Sequence, residues 1–292
     1  MPDAVPTTDA AALPCAGMTA YHALTRRLRL AAGQTILITA GAGGVGGYAV
    51  QIAHHLGARV LSTASPAKVQ AVRALGADEV IDYRAAGGPD AVAAAARALT
   101  PEGRGVDAVL DTLDSASATA NLGALAFNGG LAFIGGRPDL SAVPGFTISP
   151  SIHEVSLGAA YSAGTARDRA DLAAMLAELL ELAATGRLDT RVAEVVPLGA
   201  VPAAYARLAQ GHQAGKLVCD VAGQSVCDSG MGVSRASVSI RRHFYATVHN
   251  TIHSFPCSGA VLAEEPAAPT CESGGGWTLL ETDAGSAVAA VS

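Results

Sequence analysis

The stretch TILITAGAGGVGGYAVQIA, from Thr35 to Ala53, constrains this chain more than any other. A short run of apolar and β-branched residues leads into a turn where Gly41, Gly43 and Gly46 are spaced G-x-G-x-x-G, and a helix-forming run follows. Each glycine answers a steric demand. The first permits a tight turn, the second lets the backbone approach a pyrophosphate, and the third lets helix pack on strand. The helix then directs its first amides, those of Gly44 and Val45, and the positive end of its dipole at the phosphates. The spacing alone is weak in a chain of 292 residues with 33 glycines. Its place between a strand and a helix, at the head of a βαβ series, makes it a dinucleotide signature.

The series runs on from there. ARVLSTA, DEVIDY, VDAVLDTL and GGLAFIGG read as strands, and SPAKVQAVRALG, DAVAAAARAL and SASATANLGALAF read as the helices between them. Strands alternating with helices imply parallel pairing through crossovers, and continuously apolar strands imply a sheet covered on both faces. The fold class is therefore α/β, a Rossmann-type doubly wound parallel sheet. Ahead of it, TTDAAALPCAGMTAYHAL reads as a helix capped by Thr8 or Asp9, broken at Pro14, with a second helix through Tyr21 and Leu24. HEVSLGAAY reads as an edge strand. Leu172, Met175, Leu176, Leu179 and Ala183 form one helix stripe closed by Gly186. RVAEVVPL, VPAAYARLAQG and GKLVCDV complete the regular pattern. The expected plan is a helical lead-in (1–30), a dinucleotide-binding domain (31–160), a helix with further strands (161–222), and an irregular tail without sustained period (223–292).

Composition excludes several classes. The net charge of −6 argues against a nucleic-acid partner, and aromatics at 4% argue against stacked single strands. No basic leader followed by an apolar core opens the chain. The most apolar helical run carries Asp171, Glu178 and Glu181, which rules it out as a membrane span. Five cysteines without a C-x-x-C pair suit free thiols in a reducing cytoplasm. In the tail, His249, His253 and Cys257 follow one another at steps of four, with His243 ahead of them, a spacing that suits zinc only on a helix. The region has no helical period, so no metal site is expected. His54 and His55 read as ordinary helix residues, and Asp111 and Asp114 as turn and cap residues after a strand.

The end of the second strand selects the nucleotide. NAD sites place an acid about 20 residues beyond the glycines, on the ribose 2′-hydroxyl. Here that position is Thr63, followed by Ser65 and Lys68, with Tyr83 closing the next strand. A neutral hydroxyl removes the charge that would repel a 2′-phosphate, which favours NADP(H).

These segments, with AALPCAGMTAYHAL and VIDYR, together resemble the medium-chain dehydrogenase/reductase superfamily, in its quinone oxidoreductase (zeta-crystallin-like) and zinc-binding-dehydrogenase-like branches. The resemblance runs from residue 2 to about 222 and implies NADP(H), with Lys68 and Tyr83 on the 2′-phosphate. It also implies Thr19 near the nicotinamide, Thr112, Ile134 and Gly135 along the cofactor's far half, and Gly215 with Lys216 at its edge. Residues 161–222 would be the returning elements of the family's catalytic domain. Its GroES-like β domain has no counterpart ahead of PDAVP, and no replacement Cys/His cluster stands by the cofactor, so zinc is not expected.

The activity implied is hydride transfer to a quinone or an α,β-unsaturated carbonyl. The other reading is an NADPH-binding module without turnover, for want of the front domain. No side-chain acid is obligatory where water can protonate the product, so no catalytic residue is assigned, with Tyr21 the one conceivable donor. The resemblance also implies a homodimer through the edge strand from Val155 to Ala160.

Overall fold

The computed structural model describes residues 2–210 and 214–221, together with the backbone of three further strands at 245–248, 277–281 and 287–291. Six parallel strands form the main sheet: β1 (Thr35–Ile38), β2 (Arg59–Ala64), β3 (Glu79–Asp82), β4 (Val106–Asp111), β5 (Leu125–Phe133) and β6 (Ser151–Glu154). Their order is β3-β2-β1-β4-β5-β6, as in the doubly wound dinucleotide fold. Successive side chains of a strand point to opposite faces. Ile36 and Ile38 accordingly enter one core while Leu37, between them, enters the other.

Helices α1 (Thr7–Ala12), α2 (Ala16–Tyr21) and α3 (Gly44–His55) precede α4 (Val69–Ala74), α5 (Tyr83–Ala86), α6 (Pro89–Ala98) and α7 (Ser115–Asn121). After β6 come the short α8 (Ala159–Ser162), the long α9 (Ala166–Ala184) and α10 (Val201–Ala209). The first core joins α2, α3 and α9 to the sheet through Met18, Val50, Ile52, Met175 and Leu179. The second joins α6 and α7 through Val92, Ala96, Ala118 and Leu122. Helix α9 opens with a capping box between Thr165 and Asp168, buries Leu172, Met175 and Leu179 from the expected stripe, and is followed by Gly186 at φ +69°.

Two local expectations are corrected. Thr8 and Asp9 lie inside α1, which starts directly after Pro6. The Asp9 carboxylate instead accepts from the Thr190 hydroxyl. The segment expected as a strand from Val155 to Ala160 is not one. Strand β6 ends at Glu154, the Val155 amide still donates to Phe133 O at 3.0 Å, and the chain then folds into α8. Leu157 and Ala160 pack against the first core, which draws the backbone off the sheet edge.

A second sheet has the order β10-β11-β9-β8-β7. In it β7 (Val192–Pro197) and β8 (Lys216–Asp220) pair in parallel across α10, and β9 (Tyr245–Val248) pairs antiparallel with β8. Strand β10 (Trp277–Glu281) pairs with β11 (Ala287–Val291), which lies beside β9. Three segments of the stretch read as irregular are thus strands, defined by pairing rather than by any local period. His243, His249, His253 and Cys257 lie outside the described residues. Among those described, no helix is long and apolar enough to cross a membrane, and no group of three His, Cys, Asp or Glu comes together as a metal site.

Candidate nucleotide-binding site

The glycine turn sits at the C-terminal end of β1, where the strand order reverses between β1 and β4 and where ligands gather in open α/β sheets. Three bonds donated by its backbone amides fix it. Gly41 N donates to Thr63 O at 3.0 Å, Ala40 N to Thr63 Oγ1 at 2.9 Å, and Gly43 N to Ala40 O at 2.8 Å. A Cβ on Gly41 would stand closer than 3.0 Å to both Ser62 Oγ and Val72 Cγ1, so the glycine lets β2 and α4 close over the turn. A Cβ on Gly46 would penetrate the carbonyl of Ala40. The space is kept for backbone, and it leaves the first amides of α3, those of Gly44 and Val45, at the helix end where intrahelical acceptors run out. The cradle fits a pyrophosphate.

The rim beside it is laced across the sheet. Thr112 N donates to Thr39 Oγ1 at 2.8 Å, Thr112 Oγ1 to Thr39 O at 3.1 Å, and Ile134 N to Asp111 O at 3.1 Å. The strand ends thereby bring Thr112, Ile134 and Gly135 into register with the glycine turn. Beneath them Asp111 is buried at 1% exposure and accepts from Leu113 N (3.0 Å), Ser117 Oγ (2.6 Å) and Asn121 Nδ2 (2.8 Å). Asp114 caps α7 through Ser117 N, the cap role expected for it.

Thr63 is placed differently from its neighbours. It is 4% exposed, and its hydroxyl oxygen is occupied by the Ala40 amide, so it braces the glycine turn while supplying no charge at the end of β2. Ser65 and Lys68 follow at the 3₁₀ turn Pro66–Lys68. Ala64 stands in register with Asp82, so Ser65 and Tyr83 leave from adjacent strand ends. Tyr83 is 43% exposed, and the Arg84 guanidinium lies 5.9 Å from its ring centroid. Arg84 thus adds a cation to this edge that the sequence reading overlooked; its adjacency to Tyr83 was the available signal.

Thr19 is buried in α2, whose neighbour across the core is α3. Tyr21 is turned to other work: its hydroxyl donates to the Glu178 carboxylate on α9, and burial together with that bond pushes it up to about 12. A phenol held in that state is a poor proton donor near neutrality.

Lys216 is enclosed rather than at an open edge. It is 2% exposed at the start of β8, with its amide on Arg191 O at 2.7 Å and with the Cys15 thiol and the Arg191 guanidinium close enough to act on its charge. Burial lowers its ammonium to about 7. A lysine lowered on folding binds its proton less tightly in the native than in the unfolded chain, so this group makes stability rise with pH from about 7 towards the ordinary lysine range. Replacing Lys216 with Met is expected to flatten the gain in stability between pH 7 and pH 9, because the deprotonation that drives it is gone. Urea midpoints at those pH values check this, and a variant that keeps the wild-type slope would assign the effect to other groups.

Arg191 is the residue that sequence reasoning missed. It precedes β7 at φ +58°, and its guanidinium reaches back across the chain to the glycine turn, with Nη1 on Gly43 O at 2.5 Å and Nη2 on Ala42 O at 3.0 Å. The signal was Gly47, a glycine beyond the motif's three.

Comparison with known proteins agrees with this fold. A family model described as zinc-binding dehydrogenase matches residues 75–219. Erythronolide synthase EryA2 of Saccharopolyspora erythraea is 37% identical over 218 residues, which are 75% of this chain and 6% of that protein. The chloroplast envelope quinone oxidoreductase homolog of Arabidopsis thaliana is 30% identical over 232 residues, 75% of this chain and 64% of its own. The chain thus spans less than two thirds of these relatives. Among solved structures, mycobacterial Rv1454c complexed with NADPH is similar at 30% identity and a TM-score of 0.65, over 75% of this chain and 66% of that one. The CurK enoyl reductase is similar at 29% identity and a TM-score of 0.64, over 75% and 64%.

Proposed function

Because this chain belongs to the medium-chain dehydrogenase/reductase superfamily, we propose that it is an NADP(H)-dependent oxidoreductase acting on an α,β-unsaturated carbonyl or a quinone. The carrying observation is the glycine turn clamped between β1, β2 and α3, with the neutral Thr63 where an NAD site would present a carboxylate. The NADPH complex of one structural neighbour, the enoyl reductase name of another and the quinone oxidoreductase name of a relative support the reading.

When bound, the dinucleotide would supply the hydride from its nicotinamide ring. The chain's own residues bind and orient. The amides of Gly44 and Val45 would hold the pyrophosphate. Ser65, Lys68, Tyr83 and Arg84 would meet the 2′-phosphate. Thr112, Ile134 and Gly135 would line the far half, with Thr19 on the nicotinamide side. Tyr21 is committed to Glu178, so protonation of the reduced substrate falls to solvent.

Fluorescence titration with NADPH and NADH, followed by NADPH oxidation with a small quinone and a small enone, tests the proposal. Preferred binding of NADPH with turnover of either acceptor is expected. Binding without turnover would favour a nucleotide-binding module, and binding of neither dinucleotide would overturn both readings. In Thr63→Asp the new carboxylate can still accept from Ala40 N but repels a 2′-phosphate. The NADPH-to-NADH affinity ratio should fall about tenfold or more, each factor of ten being about 1.4 kcal/mol. An unchanged ratio would remove Thr63 from the selectivity.

A further inference from the structure

Gly47 lies within α3, where a glycine costs about 1 kcal/mol relative to alanine and where the dinucleotide motif does not call for one. The structure supplies the reason. A Cβ at Gly47 would occupy the position of the Arg191 guanidinium, closer than 3.0 Å to both Nη1 and Cζ. The glycine is a port through which Arg191 reaches the carbonyls of Ala42 and Gly43.

The segment that delivers this arginine is fastened on several sides. Gln51 of α3 donates from Nε2 to Asp189 O at 3.1 Å and accepts from Asp189 N at 2.7 Å. The fully buried Tyr48 hydroxyl lies 2.5 Å from Thr190 O and 3.1 Å from Ala12 O. The Thr190 hydroxyl donates to Asp9, and Asp189 Oδ1 accepts from Arg191 N at 2.8 Å, holding the left-handed backbone. A three-residue loop that tightly bound has little freedom, so its guanidinium is pre-organised rather than adaptable.

We propose that Arg191 is a positioning residue for the dinucleotide: from behind the glycine turn it holds the Ala42 and Gly43 carbonyls and thereby aims the Gly44 and Val45 amides at the pyrophosphate. The inference rests on the nucleotide-binding reading above. A guanidinium bonded to a peptide carbonyl polarises the amide of the same peptide unit, and the one on Gly43 O acts on the Gly44 amide. Its fixed positive charge also stands against the glycine turn, in a partly buried setting where solvent screens it less. Two bonds from one planar fork set the angle between successive peptides, which a single ammonium cannot do.

The test is a binding series on the full chain. Arg191→Met should weaken NADPH and NADH alike by about tenfold or more, a loss of about 1.4 kcal/mol or greater. The NADPH-to-NADH ratio should stay constant, because both share the pyrophosphate. Adenosine 2′-phosphate, which lacks the pyrophosphate, should bind Arg191→Met as it binds wild type. Arg191→Lys, which keeps a cation but loses the fork, should fall between the two and carries the test if the methionine variant does not fold. Gly47→Ala should reproduce Arg191→Met, and the double variant should be no worse than either single one. Wild-type NADPH affinity in a folded Arg191→Met, or equal losses for NADPH and adenosine 2′-phosphate, would overturn the inference while leaving the nucleotide reading intact. Wild-type protein that binds neither dinucleotide would overturn both.

Discussion

Gly46→Ala is expected to lower NADPH affinity by about 100-fold, or about 2.8 kcal/mol, because it displaces the amides proposed to hold the pyrophosphate. An ideal Cβ at this position meets Ala40 O, Ala40 C and Thr39 O, all of them backbone. No rotamer change can relieve that contact. The start of α3 must retreat from β1, and the amides of Gly44 and Val45 retreat with it. The neighbouring glycine provides the internal control: a Cβ at Gly43 comes only to 3.1 Å from Ala40 O and otherwise meets nothing tight. Gly43→Ala should therefore destabilise the empty turn far less than Gly46→Ala, and the affinity it loses reports the room a pyrophosphate needs at this position. Urea midpoints of both variants check the order, and isothermal titration reads their NADPH affinities. A Gly46→Ala protein that binds within about threefold of wild type, under about 0.7 kcal/mol, would show that the cradle is not where the pyrophosphate lies.

Asp111→Ala is expected to destabilise the protein by about 3–4 kcal/mol, because it leaves the buried Ser117 and Asn121 donors and the part-buried Leu113 amide without their acceptor at about 1–3 kcal/mol each, partly relieved by relaxation. The carboxylate is 1% exposed, and its partners come from two directions: Leu113 in the turn after β4, and Ser117 and Asn121 on α7. Burial raises its pKa, while the hydrogen bonds from Ser117, Leu113 and Asn121 oppose that rise. The cluster therefore works as a cost offset by geometry, and deleting the acceptor forfeits the offset. Urea denaturation at pH 7 measures the loss. The effect should extend to the cofactor rim, since the Asp111 backbone also accepts from Ile134 N. A loss below about 1 kcal/mol would mean that water replaces the carboxylate without penalty.

Much of the fold was legible because its causes are local. Strand β1 is buried at every position, and parallel pairing of its neighbours follows from alternation of strands with helices. The α9 stripe buried Leu172, Met175 and Leu179 as its spacing required. Gly41 and Gly46 act as steric clearances, the roles their spacing assigns to them. Thr63 was legible in half of its role: the absence of an acid is a property of the sequence, whereas its bond to Ala40 depends on how β2 lies beside the turn. The expected strand from Val155 to Ala160 failed because residues with acceptable strand propensity were drawn into the first core by Leu157 and Ala160.

By itself, then, the sequence determined the doubly wound sheet, the glycine turn at its switch point and the neutral end of β2, since periodicity, glycine sterics and formal charge all act within a few residues. Tertiary structure alone decided that β9, β10 and β11 join β7 and β8 in a second sheet, because strand pairing takes its hydrogen bonds from distant partners. It alone also turned Tyr21 towards Glu178 and enclosed Lys216. Above all it brought Arg191 through the gap at Gly47 to the back of the glycine turn. Those contacts join residues more than 140 positions apart, and no period or spacing along a chain encodes an approach that only packing creates.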